Sequence, residues 1–141
     1  MSRLAVQFLD QGFHRVLFDA MPMPVFVVNK EMCVFDYNAA AAKLLDKDKK
    51  LVIRRRSGEV LNCVHSIEGP GGCGSTPACR DCVVRKSVQT AARGRRVTRQ
   101  WAQMEVFRKG RVVKVKLRVS CQPFTYGRNS FILLLLEGLN D

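Results

Sequence analysis

No apolar run in this sequence is longer than six residues, Phe131 to Leu136, and a helix that crosses a bilayer needs about 20. The chain does not open on a basic stretch followed by a continuous apolar core, so no secretory signal is expected and the default compartment is the cytoplasm. Catalytic signatures are also missing. There is no Gly-x-Ser-x-Gly elbow and no phosphate-binding Gly-x4-Gly-Lys loop. With two histidines and no obvious carboxylate pair, no enzyme is expected. The spacing of a two-Cys, two-His zinc finger is absent, as are a basic leucine zipper, an internal repeat and a low-complexity tract. Aromatic residues make up only 8% of the chain, but 47% of it is hydrophobic. Aliphatic side chains can therefore build one core in a single unit of 141 residues.

What the sequence does have is positive charge, at a formal +12. That predicts attraction to an anionic partner, either nucleic acid or an acidic protein. The basic clusters are Arg54-Arg55-Arg56, Arg93 to Arg99, and Arg108-Lys109 with Arg111. The plain reading is a solvated basic surface, and specific nucleic-acid binding is the sharper alternative.

Residues 2–19 read as an amphipathic helix, with Leu4, Phe8, Leu9, Phe13, Val16 and Leu17 recurring at helical spacing. Ser2 caps it, and Pro22 and Pro24 stop it. Its apolar side needs a partner, either the domain's own sheet or a second copy. Val25 to Asn29 and Met32 to Tyr37 predict a β-hairpin, Asn38 a helix cap, and Ala39 to Leu45 a short helix. Asp46 to Lys50 is a charged turn, residues 51–62 fit no single element, and 63–78 form an irregular Gly- and Pro-rich loop. A helix is expected over 79–93, with Val84, Val88, Ala91 and Ala92 buried and Gly94 as its stop. Three strands follow, over 95–107, 112–122 and 130–137. In the middle one, Val113, Val115, Leu117 and Val119 alternate with Lys114, Lys116 and Arg118, as in a strand with one wet, basic face.

The stretch Phe18-Asp19-Ala20-Met21-Pro22-Met23-Pro24-Val25-Phe26-Val27-Val28-Asn29 and the later Val34-Phe35-Asp36-Tyr37-Asn38-Ala39-Ala40-Ala41 resemble the opening strand and the strand-to-helix junction of PAS sensory domains. Phe131 to Leu136 with Glu137 is similar to their closing strand. The resemblance covers roughly residues 17–137. It implies an α+β fold, a five-stranded antiparallel sheet with helices on one face, carrying here an N-terminal amphipathic helix. It divides the chain into a dimerisation helix, 1–20, and a sensor domain, 21–141, with a cysteine-rich loop at 63–82. PAS domains bind a cofactor or ligand, or serve as dimerisation modules. A homodimer through the first helix is therefore expected, with an output domain or an acidic protein as further partner and no membrane association.

The sequence contains six cysteines, and four of them follow the spacing Cys63-x9-Cys73-x5-Cys79-x2-Cys82. In a reducing compartment, clustered thiols read as metal or redox chemistry. On a helix, Cys79 and Cys82 would lie on one side of the first turn. A helix N-terminus and the cations Arg80, Arg85 and Lys86 favour thiolate, the form that binds metal. Gly71, Gly72 and Gly74 let the backbone wrap closely around an inorganic centre. Zinc takes four cysteines, usually on two Cys-x2-Cys knuckles, but this chain has one such pair. An iron–sulfur cluster accepts more varied spacing. The segment from Gly58 through Cys82 also resembles the cysteine-rich insertion of some bacterial PAS sensors. The reading is a [4Fe–4S]-type cluster on Cys63, Cys73, Cys79 and Cys82. Zinc is the alternative, followed by a dithiol switch or no centre, and His65 is a possible substitute ligand. Covalent c-type haem is disfavoured because Val83 stands where Cys-x-x-Cys-His needs histidine. Cys33 and Cys121 are expected in strands as core, His14 as structural, and Trp101 as sheet packing. The function implied is redox or gas sensing relayed through a dimer. A zinc-stapled interaction module and a basic nucleic-acid-binding regulator are the other readings.

Overall fold

The computed structural model of the chain describes residues 11–45, 52–56, 61, 63 and 82–138. Helix α1 (Gln11–Ala20) ends where Pro22 and Pro24 forbid another turn. Its expected start near Ser2 lies outside the described residues, as do the turn at 46–50 and most of the cysteine loop. Strands β1 (Val25–Val28) and β2 (Val34–Tyr37) form the expected hairpin. The turn is an Asx type, in which the Asn29 Oδ1 accepts the backbone N–H groups of Glu31 and Cys33, both at 3.0 Å. Met32 has φ 68°, a left-handed backbone that cannot continue a strand, so β2 starts at Val34 rather than at Met32.

Helix α2 (Ala39–Leu45) forms as expected behind Asn38. The Asn38 Oδ1 accepts the Ala41 N–H at 3.0 Å, which caps the helix, and also the Val25 N–H at 3.0 Å. Its amide nitrogen donates to the Met23 carbonyl at 3.0 Å. This buried side chain thus ties the end of β2 to the start of β1, and all three of these contacts are with main-chain groups.

Helix α3 (Val83–Ala92) starts four residues later than expected. Cys82 is extended, at φ −66° and ψ 116°, and is the cap residue rather than part of the first turn. Val84, Val88 and Ala91 are buried as expected, whereas Ala92 is exposed. Gly94 at φ 92° ends the helix, its N–H on the Ala91 carbonyl at 2.9 Å.

Strands β3 (Val97–Arg108), β4 (Arg111–Tyr126) and β5 (Asn129–Glu137) complete a five-stranded antiparallel sheet in the order β2-β1-β5-β4-β3. Lys109 (φ 50°) and Gly110 (φ 74°) make the two-residue turn between β3 and β4, with the positive φ pair of a type I′ hairpin. Arg99 at φ 45° breaks the β3–β4 ladder between Val97 and Gln100. β4 runs four residues past the expected Gln122. Pro123 is tolerated there because β3 pairs only as far as Cys121, leaving β4 partnered on one side.

Alternation sorts the sheet into two faces. Phe26, Val28, Val106, Val115, Leu117, Val119, Ile132, Leu134 and Leu136 face α2 and α3 and form the core. Fully burying a side chain such as Leu117 or Leu134 stabilises the fold by about 1.5–3 kcal/mol. The opposite face carries Val27, Phe124, Phe131, Leu133 and the basic residues of β4. α1 lies over part of it. The inner side of this helix borders a groove whose other wall is the chain's own sheet.

Candidate functional site

Two of the four cysteines expected to hold a centre are described, Cys63 and Cys82. Cys63 makes an antiparallel bridge to Val106 on β3, the edge strand of the sheet. Cys82 begins the helix that packs across β3, β4 and β5. Both are half-buried, and both pack against the main core. The Cys82 carbonyl accepts the Lys86 N–H at 3.0 Å, the first bond of α3, while its thiol makes no capping bond. The two ends of the cysteine segment are thus fixed on β3 and on the helix lying across it. Cys73, Cys79 and His65 lie outside the described residues. Among the described residues no three potential ligands come together as a metal site, and Cys33, Cys63, Cys82 and Cys121 form no disulfide with one another. The expected pairing of Cys79 and Cys82 on one helical turn is corrected at Cys82, which precedes the helix.

Cys121 is core, 1% exposed, and burial pushes its thiol up to about 12. Cys33 is half-buried just before β2, bridged to Arg56, rather than inside a strand. The 52–56 segment extends this edge, with the Val34 N–H on the Arg55 carbonyl at 2.7 Å.

An open groove of about 550 Å³ separates α1 from the outer face of the sheet, lined by His14, Arg15, Phe18, Val27, Asp36, Phe124 and Leu133. His14, expected to be merely structural, is an exposed part of this lining. Arg15 clamps the helix to β2. Its Nη1 donates to both Asp36 carboxylate oxygens at 3.0 and 3.1 Å, its Nη2 to the Tyr37 carbonyl at 2.9 Å. Nη2 and Nε also hold Asp19 at 2.7 and 3.0 Å. The hydrogen bond from Arg15 keeps the Asp19 carboxyl below the usual carboxylate range, and the carboxylates in turn raise Arg15. No motif announces this clamp; its cue in the sequence is a pair of charges four apart on a helix.

Trp101 departs from the packing role expected of it. It stands on the outer face of β3, 59% exposed, with the Arg118 guanidinium 4.2 Å from its ring centroid. The cue lay in register. Ala102, Met104 and Val106 are the buried phase of β3, which turns Trp101 outward.

No protein-family model matches the chain, and no curated protein matches it. Solved structures do. The PAS domain of nitrogen regulation protein NR(II) from Vibrio parahaemolyticus is similar over 91% of this chain and 99% of its own, at 15% identity and a TM-score of 0.63. The PAS domain of an HTR-like protein from Haloarcula marismortui matches 96% of this chain and 93% of its own, at 16% identity and a TM-score of 0.58. The PAS domain of BvgS from Bordetella pertussis matches over 92% and 85%, at 20% identity and a TM-score of 0.53. With its five strands ordered β2-β1-β5-β4-β3 and α2 and α3 on one face, the chain has the PAS fold.

Proposed function

We propose that this chain is a PAS sensory domain whose input is a redox-active or gas-responsive centre held by Cys63, Cys73, Cys79 and Cys82. The observation that carries this reading is the seating of Cys63 on β3 and Cys82 at the start of α3. Half-buried thiols on two anchored elements suit the ligands of a [4Fe–4S]-type cluster, with zinc as the alternative occupant. When bound, a cluster supplies a centre whose charge or integrity changes with oxidation. The chain's own residues convert that into movement. Cys82 adjoins the first turn of α3, and α3 packs on β3, β4 and β5. Phe124 of β4 and Leu133 of β5 lie on the far side of the sheet, under α1. A shift of α3 therefore reaches α1 through a single layer of strands. α1 leaves Val16 and Leu17 65% and 50% exposed, an apolar strip that fits a homodimer contact, with an output domain or an acidic protein as the further partner.

The reading is tested by purifying the protein without oxygen and then admitting air. A visible band that bleaches, with amide-exchange protection falling over 83–92 and 97–108, is the expected result. A colourless protein with stoichiometric zinc, and protection indifferent to oxidation and reduction, would replace sensing by a structural zinc staple.

A further inference from the structure

Beside the groove under α1, the outer face of the sheet presents a second surface, on β3 and β4. Trp101 lies there 59% exposed, an unusual state for the largest aromatic side chain. It pairs across the ladder with Arg118, whose guanidinium stacks on the ring at 4.2 Å. Lys116 and Lys114 follow along β4 on the same exposed face, with successive outward residues about 7 Å apart along the strand. Among the described residues, two carboxylates share this face. Glu137 is held by the Arg99 Nε at 3.2 Å, and Glu105 pairs across the ladder with Lys114. Four cations, Arg99, Lys114, Lys116 and Arg118, thus stand against two acids, and the exposed Lys109 and Arg111 continue the charge around the β3–β4 turn.

The geometry points to a binding surface for single-stranded nucleic acid, in which Trp101 stacks a base and Lys114, Lys116 and Arg118 meet the phosphates. An open strand offers the base faces that a ring can stack on, and a duplex keeps them inside its own stack. Arg118 lies over one face of the Trp101 ring, so a base stacks on the other face, with the guanidinium charge within reach of its phosphate. An acidic protein would answer the charge but would leave the platform without a use. The surface is on the side of the sheet away from α3 and stands independently of the cysteine centre.

Trp101 is the chain's only tryptophan, so tryptophan emission, excited where tyrosine does not absorb, reports on this position alone. Titration with an oligothymidylate of about ten nucleotides is expected to quench it saturably. Affinity measured by anisotropy of the labelled oligonucleotide should fall with salt, at about 0.7 in log–log slope for each phosphate contact. Trp101→Ala should weaken binding about tenfold or more, while Trp101→Phe keeps most of it. Lys114→Gln with Lys116→Gln should weaken binding and reduce the slope by about 1.4. All of these positions are exposed, and circular dichroism checks the fold of each variant. Binding unchanged in Trp101→Ala, tighter binding of the duplex than of the single strand, or tighter binding of polyglutamate would each overturn the inference, the last in favour of an acidic protein.

Discussion

Asn38 uses both ends of its amide, and all of its side-chain bonds run to the main chain: Val25, Ala41 and Met23. Replacing it with alanine removes the cap of α2 and leaves the Val25 N–H and the Met23 carbonyl unpaired in a buried site. Asn38→Ala is expected to cost about 2–4 kcal/mol in a denaturant melt; a loss below about 0.5 kcal/mol would show that the latch is not needed. Cys121 makes a different kind of prediction. Its thiol ionises at about 12 in the fold against an ordinary 9.0. Below pH 9 both states hold the proton and nothing changes. As pH rises from 9 towards 12, the unfolded chain gives up its proton and the folded chain does not, so stability declines. Cys121→Ala should remove that share of the alkaline loss, seen as a flatter midpoint-against-pH curve than that of the parent protein. Asn38 was legible as a cap from its place before four alanines. Its grip on Val25 and Met23 was not, because those bonds depend on how the chain returns to itself thirteen and fifteen residues away.

At the level of elements, the best-read strand was β4. Its apolar–basic alternation named both faces, and Val115, Leu117 and Val119 are buried as that pattern required. What escaped were the breaks, Met32 at φ 68° and Arg99 at φ 45°. Neither is glycine or asparagine, so composition gives no warning of a left-handed backbone. The start of α3 at Val83, not Cys79, has a related reason. Nothing in Cys79-Arg80-Asp81-Cys82 forbids helix, and the extended Cys82 is a conformation that no propensity reports. The sequence pattern makes α1 amphipathic, but the side turned to the sheet is set by Arg15 gripping Asp36 and the Tyr37 carbonyl, which leaves Val16 and Leu17 outward. Val16→Glu with Leu17→Glu is therefore expected to shift a dimer to monomer in sedimentation while leaving the melting midpoint within a few degrees; an unchanged dimer would place the contact elsewhere. The clamp itself weakens in acid. Because Arg15 lowers Asp19, this contribution is present above the ordinary carboxylate range and fades as pH falls through the lowered value; both side chains are exposed enough for salt to screen it.

Across the whole molecule, the sheet separates two kinds of surface. Its inner side is filled by α2 and α3, with Cys63 and Cys82 against that core at the β3 side. Its outer side divides between the groove beneath α1 and the basic surface around Trp101. The topology was legible because the order of hairpin, short helix, longer helix and three strands was carried by turns and alternation along the chain. The candidate centre is an expectation from spacing alone, since four cysteines within twenty residues point to a shared site but not to the strand or helix that would carry it. The structure supplies two anchors, Val106 opposite Cys63 and the first turn of α3 beside Cys82. Those anchors make Cys82 the informative site for substitution. The deciding measurement is iron and acid-labile sulfide per chain in protein purified without oxygen, made alongside Cys82→Ser. Both elements and a visible band are expected in the parent protein, and their loss in a variant that still shows the circular dichroism of the fold. A colourless, iron-free parent protein would rule out the cluster.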